Sequence, residues 1–285
     1  HSMNDFLTLA LMPFQLEFMQ KAFIITLMIS IPMALLSCLL VLKSWSLMGD
    51  AVSHAVLPGI VISYAVGLPL SLGAFVAGLL CSVGTGFIRM NSRVKEDTVL
   101  GVVFSGMFAL GLVLFVKIES DLHLTHILFG DMLGITKQNM VETGIIALVV
   151  SLFILVFRQD LLVQAFDAQH AQAIGLKTNL LHYGLLAVLS LVIVGALQAI
   201  GIILSIAMLI APGATAFLVS RRFSTMLMVS VAISVFSTVI GIWASFMIDS
   251  APAPTIVLIM TILFIIAFVR SGVVEKRRSQ QIASA

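Results

Sequence analysis

Two ionisable side chains stand close together in a stretch of sequence that is otherwise apolar. Asp50 and His54 are four residues apart in "LMGDAVSHAVLPGIVIS", residues 47–63. On a helix this spacing puts both side chains on one face, with Cβ atoms about 5–6 Å apart. A carboxylate oxygen and an imidazole nitrogen at that separation could bind one divalent cation. Spacing alone leaves a second interpretation open, in which Asp50 caps the helix and His54 donates a hydrogen bond to a backbone carbonyl.

The elements that carry this pair are predicted to span a membrane. Of the 285 residues, 60% are hydrophobic and 10% are charged, and the mean hydropathy is +1.18. Soluble domains contain only about 45–50% apolar residues. An ionisable group inside a membrane span costs about 2.5–3.5 kcal/mol unless it faces a polar cavity or a partner. The composition therefore predicts an all-α, polytopic transmembrane bundle in which Asp50 and His54 point inward. The net charge of +2 gives no reason to expect a nucleic-acid partner.

Apolar runs long enough to cross a bilayer recur along the chain. We count about nine, although a count of eight also fits the sequence. The candidate spans are 18–42, 46–68, 69–88, 98–117, 140–157, 180–198, 200–219, 224–247 and 252–269. Two pairs of spans are so close in sequence that very tight turns, "GLPLS" and "QAIG", must join them.

Nine alternating spans divide the basic residues unevenly between the two sides of the membrane. One side receives twelve of the 15 Lys and Arg residues, and the other side receives three. The twelve are Lys43, Arg89, Arg93, Lys95, Arg158, Lys177, Arg221, Arg222, Arg270, Lys276, Arg277 and Arg278. The three are Lys21, Lys117 and Lys137. Because cytoplasmic loops carry the excess of positive charge, we predict a cytoplasmic C-terminus and an N-terminus outside.

Two connections are too long to be simple turns. The segment 158–179 on the basic side, "RQDLLVQAFDAQHAQAIGLKTN", has helical spacing of apolar residues, and Gly175 provides a helix stop. Its polar face is weakly charged, so we predict an amphipathic helix that docks on another protein rather than on lipid. The segment 118–139 on the opposite side is interpreted as a gate or a receptor-docking surface, and an ordinary interfacial loop is the alternative. Pro212 in "LIAPGATA" predicts a bent or broken span, because proline has no amide hydrogen to donate. The backbone carbonyls left without a hydrogen bond would then have to face a pore or a neighbouring helix.

Several sequence signatures do not occur in the chain. It contains no GxxxxGK[ST] phosphate-binding loop, no HExxH motif and no GxSxG motif. Cys38 and Cys81 lie inside apolar runs and are interpreted as core residues. Two functions from other classes stay open at this point. One is an ATP-independent secondary transporter or channel, and the other is a membrane enzyme that uses Asp50, His54 and a metal ion to activate water.

Five stretches in order along the chain carry a family resemblance. They are "GDAVSHAVLPGI", "NSRVKEDTVLGVVFSGMFALGLVL", "HILFGDML", "AFDAQHAQAIGL" and "SIAMLIAPGATA". Together they resemble the permease subunits of the bacterial ABC-3 family, which import manganese, zinc or chelated iron. The resemblance implies a type II ABC importer-like permease with one transmembrane domain over 1–285, in the bacterial inner membrane. The sequences "VKEDTVLG" and "LHLTHILFGDMLG" most resemble the iron and manganese branch of the family.

The resemblance also implies roles for particular residues. The family's Asp-xxx-His pair, implicated in metal passage, falls on Asp50 and His54 without a gap. Its cytoplasmic coupling helix falls on roughly 160–176, which places Phe166, Asp167, Ala173 and Gly175 at the contact with an ATPase. The implied partners are a dimeric cytoplasmic ATP-binding subunit, a second permease copy or close homologue, an extracytoplasmic metal-binding receptor and membrane lipid. The chain itself would be no enzyme and would bind no permanent cofactor, because the divalent metal ion is its transported substrate.

Overall fold

The chain folds into α-helices throughout the part that is described. A computed structural model of the protein describes residues 2–118 and 137–284, and no strand occurs among them. The segment interpreted as a gate or receptor-docking surface lies almost wholly outside the described residues. The helices are α1 (Ser2–Gln15), α2 (Glu17–Leu42), α3 (Ser46–Ala55), α4 (Leu57–Val66), α5 (Leu70–Asn91), α6 (Glu96–Ile118), α7 (Lys137–Val156), α8 (Arg158–Phe166), α9 (Ala168–Ala173), α10 (Thr178–Val219), α11 (Phe223–Ile248) and α12 (Pro252–Ala283).

The predicted transmembrane bundle is confirmed. Within the described residues, eight helices are long and apolar enough to cross a membrane. They are α2, α3 together with α4, α5, α6, α7, α10, α11 and α12. The short helices α8 and α9 connect α7 to α10 and occupy the segment 158–179. The all-α class and the count of eight or nine spans therefore agree with the structure.

Helix α10 accounts for the difference between eight and nine. Its 42 residues would extend roughly 63 Å at 1.5 Å per residue, about twice the thickness of the hydrocarbon core. Gly201 interrupts it with φ 75° and ψ 179°, a conformation that favours glycine. Both ends of α10 lie against α8. Gln164 Nε2 donates to the Thr178 carbonyl at 2.8 Å, and Phe166 lines a cavity together with Phe217. The chain therefore reverses at Gly201, and α10 consists of two arms, 178–200 and 202–219.

The prediction of a break at Pro212 is wrong, because the break in α10 lies at Gly201. Within α10 only Gly201 leaves helical dihedral angles, and Pro212 lies inside the second arm. A neighbouring helix does supply hydrogen-bond partners beside the proline, as the sequence suggested. The Ser37 hydroxyl of α2 donates to the Ile210 carbonyl at 3.3 Å and accepts from the Gly213 N–H at 2.9 Å. A serine from an adjacent helix can thus satisfy backbone groups near a proline without a visible break in the helix.

Helix α2 forms the centre of the core. Sixteen of its 26 residues are buried, on all sides of the helix, which is typical of a fully enclosed helix. Helix α11 packs on it through small polar residues, since the hydroxyls of Ser230 and Ser234 donate to α2 carbonyls at 2.8 and 3.3 Å. Such contacts stabilise helix pairs in membranes, where burial of apolar side chains provides no driving force. Cys38 and Cys81 are buried and unbridged, as expected for core residues.

Helices α4 and α5 approach so closely that two glycines meet at their crossing. A Cβ atom added to Gly59 would overlap the carbonyl oxygen of Gly73. A Cβ atom added to Gly73 would overlap the Ser63 hydroxyl and the carbonyl oxygen of Gly59. Because the obstacles are mostly backbone atoms, they cannot move aside without separating the helices. The crossing holds α4, the second half of the span that carries Asp50 and His54, against α5.

We therefore expect Gly59→Ala to destabilise the protein by about 1–3 kcal/mol or more, the usual cost of overpacking a tight contact. The measurement is the thermal or denaturant unfolding of the purified protein in detergent. Gly101→Ala is the matched control, because a Cβ at Gly101 would meet nothing within 4 Å. Equal stability of the two variants would show that the α4 and α5 crossing tolerates a wider separation.

Candidate functional site

Asp50 and His54 lie on α3, the first half of an interrupted span. Helix α3 ends at Ala55 and α4 begins at Leu57, with Pro58 in its first turn. Proline has no N–H, so the His54 carbonyl receives no helical hydrogen bond from position 58. The interruption directly follows the pair and separates α3 from α4.

The two side chains contact each other as their spacing predicts. His54 Nδ1 lies 2.9 Å from Asp50 Oδ1 and 2.8 Å from the Asp50 main-chain oxygen. A nitrogen that faces two oxygen acceptors carries the proton, so Nδ1–H donates, and in the neutral ring Nε2 carries the lone pair. His54 does bond a backbone carbonyl, as the alternative interpretation proposed, but Asp50 does not cap α3, whose N-cap is Trp45.

The surroundings of the pair are aromatic on one side and open on another. The His54 ring meets Phe108 edge-on at 5.4 Å and Phe104 at 5.9 Å between ring centres. Both phenylalanines belong to α6. The side chains of Asp50 and His54 keep 35% and 26% of their surface exposed, so neither is sealed inside one copy of the chain. The residues that the structure describes contain no group of three or more His, Cys, Asp or Glu side chains able to hold a metal ion. Asp50 and His54 are thus a pair of candidate ligands and not part of a larger cluster among the described residues.

A half-buried lysine lies just before the same span. Lys43 follows α2, and its Nζ lies 4.3 Å from the centre of the Trp45 ring. Burial lowers the pKa of Lys43 to about 8, and the nearby Glu96 carboxylate limits the fall. At pH 7 the group stays mostly protonated. A positive charge thus stands at the end of α3 that is closer to Asp50.

The segment 158–179 differs from the single amphipathic helix that was predicted. It forms two short helices, α8 and α9, separated at Asp167, which has φ −152° and ψ 97°. The Asp167 carboxylate accepts a hydrogen bond from the His170 N–H at 3.0 Å. An N-cap of this kind starts a new helix, and this explains the break. The predicted stop is confirmed, because α9 ends just before Gly175, which has φ 89°.

The residues assigned to the coupling contact all lie on the surface. Phe166, Asp167, Ala173 and Gly175 are exposed. Phe166 is the most conspicuous of them, since 70% of this large apolar residue is accessible. Leu161 and Ala171 are fully buried and anchor the segment to the bundle. The segment therefore presents an apolar residue outward from an anchored base.

Sequence reasoning missed a polar cluster near the reversal of α10. The Ser71 hydroxyl on α5 donates to Glu142 Oε1 on α7 at 2.7 Å. Gln198 Nε2, near the end of the first arm of α10, donates to the Ser71 oxygen at 2.9 Å. The sequence did contain an indication of this cluster. Glu142 is a lone carboxylate inside the candidate span 140–157, and such a group needs a polar partner. The cluster ties three helices together at the end of the molecule opposite α8.

Comparisons with known proteins agree with this architecture. The chain is 52% identical over 267 residues to the "Chelated iron transport system membrane protein YfeD" of Yersinia pestis, covering 94% of this chain and 90% of that protein. It is 48% identical over 257 residues to the "Manganese transport system membrane protein MntB" of Synechocystis, covering 90% and 84%. Among solved structures, "PsaBC from Streptococcus pneumoniae in complex with Fab" superimposes with a TM-score of 0.81 at 37% identity, covering 89% of this chain and 91% of that one.

A protein-family pattern matches nearly the whole helical bundle. The pattern described as "ABC 3 transport family" matches residues 15–271. This range contains the Asp50 and His54 pair, the segment 158–179 and both arms of α10. The chain therefore belongs to the ABC 3 transport family.

Proposed function

We propose that this chain is the membrane permease subunit of an ABC importer that carries a divalent transition-metal ion into the cytoplasm. The observation that carries the proposal is the pairing of Asp50 and His54 on one face of α3, inside a span of an ABC 3 family member. Relatives at about half identity are named for chelated iron and manganese transport. These names favour manganese or iron over zinc as the substrate.

The donor set of the pair suits such an ion. A carboxylate and an imidazole are acceptable ligands for Mn²⁺, Fe²⁺ and Zn²⁺, whereas a thiolate would favour softer ions or a closed zinc site. His54 can offer Nε2 to the ion while Nδ1–H stays bonded to Asp50, an arrangement that fixes the ring and raises the basicity of the ligand. Nε2 points away from Asp50, so Asp50 of the same copy could bind that ion directly only if its hydrogen bond with Nδ1–H opened.

A second copy of the chain, or a close homologue, would complete the coordination shell. Each copy supplies two strong ligands, so two copies facing each other across a two-fold axis would supply four. The partial exposure of both side chains fits a site shared between subunits. Main-chain oxygens and water would fill what remains. A site without a rigid set of ligands from one chain suits passage, because an ion that is held too tightly cannot leave.

Energy for transport would come from a separate ATP-binding subunit. The chain has no phosphate-binding loop of its own, and the exposed Phe166 on an anchored surface segment fits a docking contact. The excess of basic residues on that side supports a cytoplasmic location for α8, α9 and the C-terminus, with the N-terminus outside. ATP binding in the partner would move α8 and α9, and the spans of the two permeases would then rock to expose the Asp50 and His54 site to either side in turn.

The proposal is tested by reconstituting the permease and its partner subunits in liposomes and measuring uptake of radioactive manganese and iron. Uptake is expected to require hydrolysable ATP and to stop when the ATPase is inactivated. Zinc serves as the comparison ion. Sustained uptake by the permease alone, without ATP, would instead support the secondary transporter or channel. Turnover of a substrate by the purified chain would support a membrane enzyme.

A further inference from the structure

A cleft at the basic end of the molecule has no place in the transport cycle described above. It lies between the end of α10 and the last part of α12 and has a volume of about 470 Å³. Its lining combines three arginines, three serines and several apolar residues. The lining residues that matter here are Arg221, Arg270, Arg278, Ser220, Phe217 and Val274.

The positive charges in this cleft are only partly balanced by the protein. No carboxylate lies within 4.0 Å of Arg221, Arg270 or Arg278 in the described ranges 2–118 and 137–284, where the ion pairs involve other residues. Glu275 is the single acidic residue in the lining, so the cleft has a formal charge of +2. The Ser220 hydroxyl is buried and has no hydrogen-bond partner among the described residues. An anion with several acceptor oxygens would satisfy the arginine donors.

The cleft lies at the level where a membrane helix leaves the hydrocarbon. Arg221 comes two residues after α10 ends at Val219. Arg270 comes directly after the apolar run 252–269 of α12. Phe217, on the membrane side of the cleft, is 54% exposed. The arginine guanidinium groups match the phosphate of a phospholipid. The apolar side chains on the membrane side of the cleft match its acyl chains.

The end of α12 forms one side of this cleft. Beyond Arg270 the helix continues to Ala283, and Val274, Arg278 and Ile282 follow at intervals of four residues on the same face. All four of these side chains line the cleft. The family match ends at residue 271, so it does not include most of this extension.

We propose that this arginine cleft binds the headgroup phosphate of an anionic phospholipid in the leaflet that faces the basic end. Arginine guanidinium groups form paired hydrogen bonds with phosphate oxygens, and basic pockets between membrane helices on the cytoplasmic side bind anionic headgroups. An ATP-binding subunit is the less suitable occupant of the cleft, because it would supply a phosphate ligand without the acyl chains that the apolar side chains of Phe217 and Val274 suit. The lipid would hold the end of α12 against α10, next to the cavity that Phe166 and Arg221 also line.

The test uses the full chain purified in detergent and native mass spectrometry with added phosphatidylglycerol or phosphatidylcholine of identical acyl chains. A variant with Arg221→Gln, Arg270→Gln and Arg278→Gln is compared with Arg93→Gln, Arg158→Gln and Arg277→Gln. The control removes the same charge from exposed arginines at the same end, outside the cleft. We expect the wild type to prefer phosphatidylglycerol. The cleft variant should lose about 100-fold in affinity, or about five-fold per arginine, and the control should change by less than about three-fold.

Three results would overturn the proposal. Equal losses in the cleft variant and the control would mean that total charge, not the cleft, attracts the lipid. Equal binding of phosphatidylcholine would mean that the headgroup charge is not recognised. Full displacement of the lipid by inorganic phosphate at the same concentration would make the cleft a site for free phosphate. If the triple variant does not stay folded, Arg278→Gln alone, beyond the apolar run, should show the five-fold loss.

Discussion

Asp50→Ala and His54→Ala are each expected to reduce uptake of manganese and iron by at least about 100-fold. Losing even an indirect partner of a metal ligand costs about 10–100-fold, and here each substitution would remove a proposed ligand from each copy of this chain in the complex. The measurement is uptake of the radioactive ions by cells, with the amount of assembled complex in the membrane determined in parallel.

Two further variants separate coordination from structure. Asp50→Asn keeps an oxygen that can accept from His54 Nδ1–H but removes the charge, so its uptake should fall nearly as far as that of the alanine variant. Ser53→Ala, on the same helix, removes only a bond from its hydroxyl to the Gly49 carbonyl and should transport normally. If both alanine variants assemble and transport at the normal rate, the pair is structural and carries no ion.

Phe166→Asp is expected to separate ATP hydrolysis from transport. The substitution places a charge where an exposed aromatic ring would enter the ATPase surface, and an unpaired charge in such a contact is costly. Metal uptake should fall at least about 10-fold, while the permease still inserts in the membrane and the ATPase subunit keeps its basal hydrolysis. The measurements are uptake and phosphate release by the same reconstituted complex.

Val94→Asp provides the matched control for this variant. Val94 is also an exposed apolar residue at the basic end, with 46% of its surface accessible, but it lies in the turn between α5 and α6. It should leave the ratio of ions transported to ATP hydrolysed unchanged. A normal ratio in Phe166→Asp would show that docking does not use this face of α8.

Properties that depend on local pattern could be predicted from the sequence. Hydropathy and run length determine which segments cross a membrane, because each backbone group in lipid must be bonded within its own helix. The helical repeat places Asp50 and His54 on one face whatever the rest of the chain does. The N-cap at Asp167 is also a local signal, since its carboxylate bonds His170 three residues later. An aspartate at this position is typical of the start of a helix, and it indicates that a second helix begins after Asp167.

The remaining features depend on residues that are distant in sequence. The side chains of Phe104 and Phe108 reach His54 from α6, and Ser37 bonds the backbone beside Pro212 from α2. The tight turn "QAIG" between the two arms of α10 was predicted from the sequence, and the contacts of both ends of α10 with α8 show that the chain reverses there, at Gly201. The arginine cleft brings together the ends of two helices about 50 residues apart. The sequence by itself determined the helices and the faces that carry each side chain, and only tertiary packing decided which faces meet, because those contacts join segments whose order in space no local pattern encodes.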